Sequence, residues 1–108
     1  MADVLIKQGD VFVNPSLRSR AAVPYVLTLQ SDTLATTSTV VVAPLLRGRI
    51  PDRTGVLYPV FDVRGREVTM STSELATMPR RVLVNRVASL APHRDAVIRA
   101  LDLLFTGI

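Results

Sequence analysis

The chain has 108 residues, 48% of them hydrophobic, and a formal charge of +4 supplied by twelve Arg and one Lys against nine acids. That length is read as one domain, residues 1–108. The absence of cysteine excludes disulfides, thiolate metal sites and cysteine nucleophiles. His93 is the one histidine, so a His-based metal centre is not expected.

The core must be aliphatic, since there are two Tyr, three Phe and no Trp. A chain rich in Val, Leu and Ile leans toward strands. The N-terminal Met1-Ala2-Asp3-Val4 lacks the basic-then-apolar layout of a secretory signal. Apolar runs fall well short of the roughly 20 residues that cross a bilayer. A cytoplasmic protein with no membrane partner is expected. Arg in excess over Lys suits partners that offer carboxylates or phosphates, which leaves both nucleic acid and an acidic protein open.

In chain order, Val4 and Ile6, then Val11 and Val13, alternate around Gln8-Gly9-Asp10 and predict a first hairpin. Asn14 to Arg20 is a loop by its turn residues and charge. Tyr25, Leu27 and Leu29 alternate with Val26, Thr28 and Gln30 as in a half-buried strand. A Thr-rich turn follows from Ser31 to Thr39. Val40 to Leu46 is a continuous apolar run, expected as a central strand buried on both faces. Pro44 then belongs at a bulge or where pairing ends.

Arg47 to Gly55 reads as an exposed loop, and Val56 to Val63 as a strand. Arg64-Gly65 is a tight turn into a strand from Arg66 to Ser71, with Val68 and Met70 on one face and Glu67, Thr69 and Ser71 on the other. Ser71 and Glu74 fit a capping box that opens a short helical turn ending before Pro79. Val82, Val84 and Val87 suggest a last strand. Pro92 to about Thr106 is the one clear α-helix, with Val97, Leu101 and Leu104 in an apolar row widened by Ile98 and Phe105. Gly107 is its C-terminal cap. Together these predict a mainly β (α+β) fold: a small SH3-like barrel or bent antiparallel sheet with a packed C-terminal helix.

Catalytic chemistry is sparse. His93 is either an exposed residue near the helix start or a base, with no nucleophile nearby in sequence. Glu67 and Glu74 have structural roles on a strand and at a cap. No glycine-rich phosphate loop or dinucleotide fingerprint occurs, so no cofactor is expected. Arg18, Arg20, Arg47, Arg49 and Arg53 lie on two predicted loops, which are either solvated or close into one basic, anion-binding rim.

Gln30-Ser31-Asp32 after a strand, Leu57-Tyr58-Pro59-Val60, Ser73-Glu74-Leu75-Ala76-Thr77-Met78-Pro79 and the tail Leu103-Leu104-Phe105-Thr106-Gly107-Ile108 resemble the CcdB family of toxins. The opening Gln8-Gly9-Asp10-Val11-Phe12 is more similar to the MazF and Kid toxins, which share the barrel. The CcdB resemblance implies a homodimer that poisons DNA gyrase by binding its A subunit, without enzymatic activity or direct nucleic-acid contact. It also implies a cognate antitoxin with an acidic, disordered tail, for which Arg18, Arg20, Arg47 and Arg49 are candidate contacts.

The target-facing set carried over is Phe105, Thr106, Gly107 and Ile108, with Asp102 one turn earlier and the loop residues Thr33 and Leu34. The family has Trp, Asn and Ile at the positions of Thr106, Asp102 and Thr33. A MazF-type ribonuclease is the alternative on this barrel. It needs an Arg before the Pro of the second strand and a Ser or Thr after the Pro of the third. Val23 and Leu45 stand there.

Overall fold

The structure is a computed structural model and describes residues 5–108. The apolar run Val40–Leu46 lies within the longest strand, Thr39–Arg47, around which the rest of the sheet is arranged. Among the described residues there are seven strands: β1 Asp10–Val13, β2 Tyr25–Thr28, β3 Thr39–Arg47, β4 Val60–Val63, β5 Arg66–Met70, β6 Ala76–Pro79 and β7 Arg86–Ser89. A helix, α1, Arg94–Thr106, follows them. The strands form one antiparallel sheet in the order β4-β5-β3-β2-β1-β7, with β6 also on β3. The expected barrel-like, mainly β fold with a C-terminal helix is what forms.

One edge of β3 carries β2, with Leu45 opposite Tyr25 and Val42 opposite Thr28. The other edge is shared. β5 takes the C-terminal half, where Leu45 faces Met70, and β6 takes the N-terminal half, where Val42 faces Ala76. Pro44 sits at the changeover. Its carbonyl accepts the Ser71 N–H at 2.9 Å, and the two backbone polar groups of a strand residue point to the same edge. The missing N–H of Pro44 therefore faces the gap between β5 and β6, where no ladder bond is lost.

The sheet is buried on both faces. One core joins Val11, Leu27, Ala43, Leu45, Val68 and Met70 to Val97 and Ala100 of α1. The other holds Ile6, Phe12, Val26, Val40, Val42 and Leu83. For this reason β2 is not half-buried as its alternation suggested. Val26, Leu27 and Thr28 are each at most 2% exposed. Thr69 and Ser71 are buried as well, because the loop after β3 covers their face and Thr69 donates to the Gly48 carbonyl at 2.6 Å.

Several expected elements shift. β1 forms, but its partners are β2 and β7, and residues 5–7 are not a strand. Val4 lies outside the described residues. The strand expected from Val56 begins only at Val60, because residues 50–59, with Pro51, Gly55 and Pro59, make turns. Val82 ends a 3-10 turn, Arg80–Val82, and β7 starts at Arg86. Pro92 lies in a 3-10 turn, Ala91–His93, so α1 itself begins at Arg94. The turn after β5 is one 3-10 turn, Thr72–Glu74, and β6 follows where no strand was expected. The Ser71 hydroxyl bonds the Glu74 carboxylate instead of capping a backbone N–H.

The β4–β5 turn is as expected. Arg64 (φ 53°) and Gly65 (φ 83°) both adopt the positive φ of a tight two-residue hairpin, and Asp62 accepts the Gly65 N–H.

Candidate functional site

Only Val97 and Ala100 of α1 are buried, and neither lies beyond its middle residue. Beyond Leu104 the chain leaves the core. Phe105 is 71% and Ile108 87% exposed, so Phe105 does not widen the buried row as its spacing suggested. Gly107 adopts φ 76° and its N–H closes on the Leu103 carbonyl at 3.0 Å, which fixes the direction of the tail. Thr106 is exposed, and its hydroxyl donates to the Asp102 carbonyl at 2.6 Å. Two large apolar side chains thus stand in water beside a rigid cap. Neither contributes to the fold by burial.

Thr33 and Leu34 lie in a 3-10 turn, Asp32–Leu34, capped by the Ser31 hydroxyl at 3.2 Å from the Thr33 N–H. This turn belongs to a run from Ser31 to Thr39 in which every residue is exposed. It lies beside the start of α1. Asp32 accepts the Gln8 N–H at 2.7 Å, and Gln8 takes a long bond, 3.4 Å, from Arg94. The last turn of α1 is about 18 Å further along the helix axis. The two groups lie toward opposite ends of α1, and no hydrogen bond among the described residues joins them.

The basic loops meet. Arg47 donates to the Ala21 carbonyl at 2.8 Å, joining the loop after β1 to the end of β3. Arg20 is turned back to the Asn14 carbonyl at 2.8 Å. Arg49 makes a forked pair with Glu67 at 2.8–3.2 Å, and Arg53 pairs with Glu74. Arg18 is exposed at the loop tip. Two of the five Arg side chains are thus neutralised by carboxylates.

Arg53 also donates to Ser71 and lies over the Tyr58 ring, 5.7 Å from its centre. The Ser71 hydroxyl and then the Arg53 guanidinium hold the Glu74 carboxyl below the usual carboxylate range. A carboxylate kept ionised in this way is a poor proton acceptor, so the cluster pins the turn at Ser71–Glu74 to the preceding loop. His93 packs its ring against Phe61, with centres 5.6 Å apart.

No group of three or more potential metal ligands gathers among the described residues, and no described helix is long and apolar enough to cross a membrane. Between α1 and the end of β2 lies a shallow apolar groove of about 40 Å³, lined by Leu29, Leu90, Val97, Ile98 and Leu101. Typical small-molecule sites enclose several hundred Å³. The two positions that a MazF-type ribonuclease would need carry no suitable group. Leu45 is completely buried in the core, and Val23 has an aliphatic side chain, its backbone groups being engaged by Asn14 and Ser19.

Contacts at long range in sequence are what residue spacing could not show. Gln30, Thr37 and Arg80 converge on the loop that carries Leu34, although Arg80 is 43 residues from Thr37. Asp10, buried, accepts the Lys7 N–H at 2.9 Å and Arg86 at 3.0 Å, holding the N-terminal segment over the second core. Residues 8–107 match the family model described as CcdB protein.

Proposed function

The chain belongs to the CcdB family, the toxins of toxin–antitoxin pairs, and from that premise we propose that it acts by binding a protein target through its exposed C-terminal tail. The observation that carries this reading is the pair Phe105 and Ile108, large apolar side chains left in water at the end of a capped helix. Exposed large side chains on a rigid frame are the usual anchors of a protein interface. The A subunit of DNA gyrase is the target proposed, with Phe105, Thr106, Gly107, Ile108, Asp102, Thr33 and Leu34 facing it.

The protein works in the cytoplasm as a symmetric homodimer and is not an enzyme. The two target-facing groups lie toward opposite ends of α1 in one protomer, and a two-fold axis offers each group twice. The cognate antitoxin supplies an acidic, disordered tail. Arg18, Arg20, Arg47 and Arg49 are its proposed contacts, with Arg18 and the outer nitrogens of Arg20 and Arg47 better placed than the Glu67-paired Arg49. Thr106 fills less space than the Trp of the family, so gyrase is bound more weakly than by a member that keeps the ring.

Plasmid supercoiling by gyrase, assayed with the purified protein, tests the reading. Inhibition that disappears when Phe105→Ala and Ile108→Ala are combined supports it. Undiminished inhibition by that double variant, or cleavage of RNA by the wild type, refutes it.

A further inference from the structure

The run Ser31–Thr39 has no buried side chain, so no core contact fixes its shape. Yet it is bonded heavily. The Arg80 Nε donates to the Thr37 carbonyl at 2.8 Å, and a second nitrogen of its guanidinium reaches the Leu34 carbonyl at 3.3 Å and the Thr37 hydroxyl at 3.2 Å. The Gln30 amide donates to the Thr37 hydroxyl and to the Thr39 carbonyl. The Thr37 hydroxyl in turn donates to the Thr39 carbonyl at 2.8 Å. Arg80 is itself anchored, because its own N–H bonds the Ser38 carbonyl at the end of the β3–β6 ladder.

We propose that Arg80, acting through Thr37, is a positioning residue that holds the Thr33–Leu34 turn in a single presented shape for the protein target. This rests on the reading of that turn as target-facing. The physical case is that an exposed loop without an apolar anchor samples many shapes unless polar bonds select one. Here one planar guanidinium spans two carbonyls three residues apart, through nitrogens held in a fixed fork. Leu34, half exposed, is thereby fixed above a rigid base, and the ordering cost of binding is met before the partner arrives.

The test compares wild type with Arg80→Ala, Thr37→Val and the conservative Thr37→Ser, which keeps the hydroxyl. Hydrogen exchange of the Leu34 and Thr37 amides is followed together with thermal unfolding and titration against a gyrase A fragment. Arg80→Ala and Thr37→Val should speed exchange at both amides at least tenfold, leave unfolding nearly unchanged and weaken fragment binding about tenfold. Thr37→Ser should restore both.

Unchanged exchange in Arg80→Ala and Thr37→Val overturns the proposal whatever the fragment does. Faster exchange with undiminished binding overturns the positioning role. Faster exchange in a protein whose wild type does not bind the fragment supports the ordering by Arg80 and refutes gyrase as the target.

Discussion

Gly9→Ala probes the junction of the N-terminal segment, the sheet and the start of the helical region. Gly9 has φ 90°, a conformation that side-chain-bearing residues adopt at a cost of about 1–2 kcal/mol. A Cβ built there would also lie 3.1 Å from the Ala91 nitrogen and 3.4 Å from its Cα. That backbone has little freedom to yield. The Leu90 N–H bonds the Gly9 carbonyl at 2.7 Å, and the Ala91 N–H bonds Ser89.

The contact adds about 1–2 kcal/mol of overpacking, offset in part by the reduced freedom of the unfolded chain. The expected loss is about 2–3 kcal/mol. In a domain of this size that lowers the midpoint by roughly 10–20 °C. Gly48→Ala is the internal control, since Gly48 has φ 74° but nothing within 4 Å of its would-be Cβ. It should cost about 1 kcal/mol. Urea unfolding of both variants at one protein concentration measures the difference. Equal losses for the two would refute the close approach at Ala91 as the cause.

The contribution of Glu74 depends on pH with a definite sign. Its carboxyl is held low by Ser71 and Arg53, so its stabilising effect is present above the ordinary carboxylate pKa and fades as pH falls through the folded value below it. Glu74→Gln should therefore be slightly less stable than wild type at pH 7, with a gap that narrows as pH falls below the ordinary carboxylate range, and high salt should shrink the gap because the pair is half exposed. Asp10→Ala should cost about 2–3 kcal/mol by chemical denaturation, since it leaves the Lys7 N–H and the Arg86 guanidinium without their shared acceptor. Faster proteolysis in the N-terminal segment should accompany that loss.

How much of this was legible depended on how local the cause was. The β3 strand, the Arg64-Gly65 turn and the capped C-terminal helix follow from short-range rules, namely an apolar run, positive-φ residues and i,i+4 spacing. Pro44 was legible as a bulge or a place where pairing ends. Only the register showed that one strand edge is shared by two neighbours there. β6 was missed because the spacing of Ser71 and Glu74 points to a helical turn up to Pro79, and four residues are too few to overrule that without the pairing to β3.

The two faces of β5 were legible from its alternation, but the burial of Thr69 and Ser71 was not, because covering by the loop after β3 is not encoded within the strand. For the site, the sequence indicated the exposed face at Thr106, since periodicity alone places it there. It placed Phe105 with the core, because spacing does not tell how far along the helix the core extends. The Arg80 contacts had no signal at all, being separated from their loop by more than 40 residues.

The most direct test of the account is a calorimetric titration of a gyrase A fragment with wild type and with Thr106→Trp. Thr106 is exposed, and its hydroxyl serves only the helix backbone, so the substitution should leave folding unchanged within about 0.5 kcal/mol. A Trp beside Phe105 and Ile108 should strengthen binding by about 2 kcal/mol, roughly thirtyfold, with a matching gain in supercoiling inhibition. A Thr106→Trp protein that folds normally and neither binds the fragment nor inhibits supercoiling would contradict gyrase as the target.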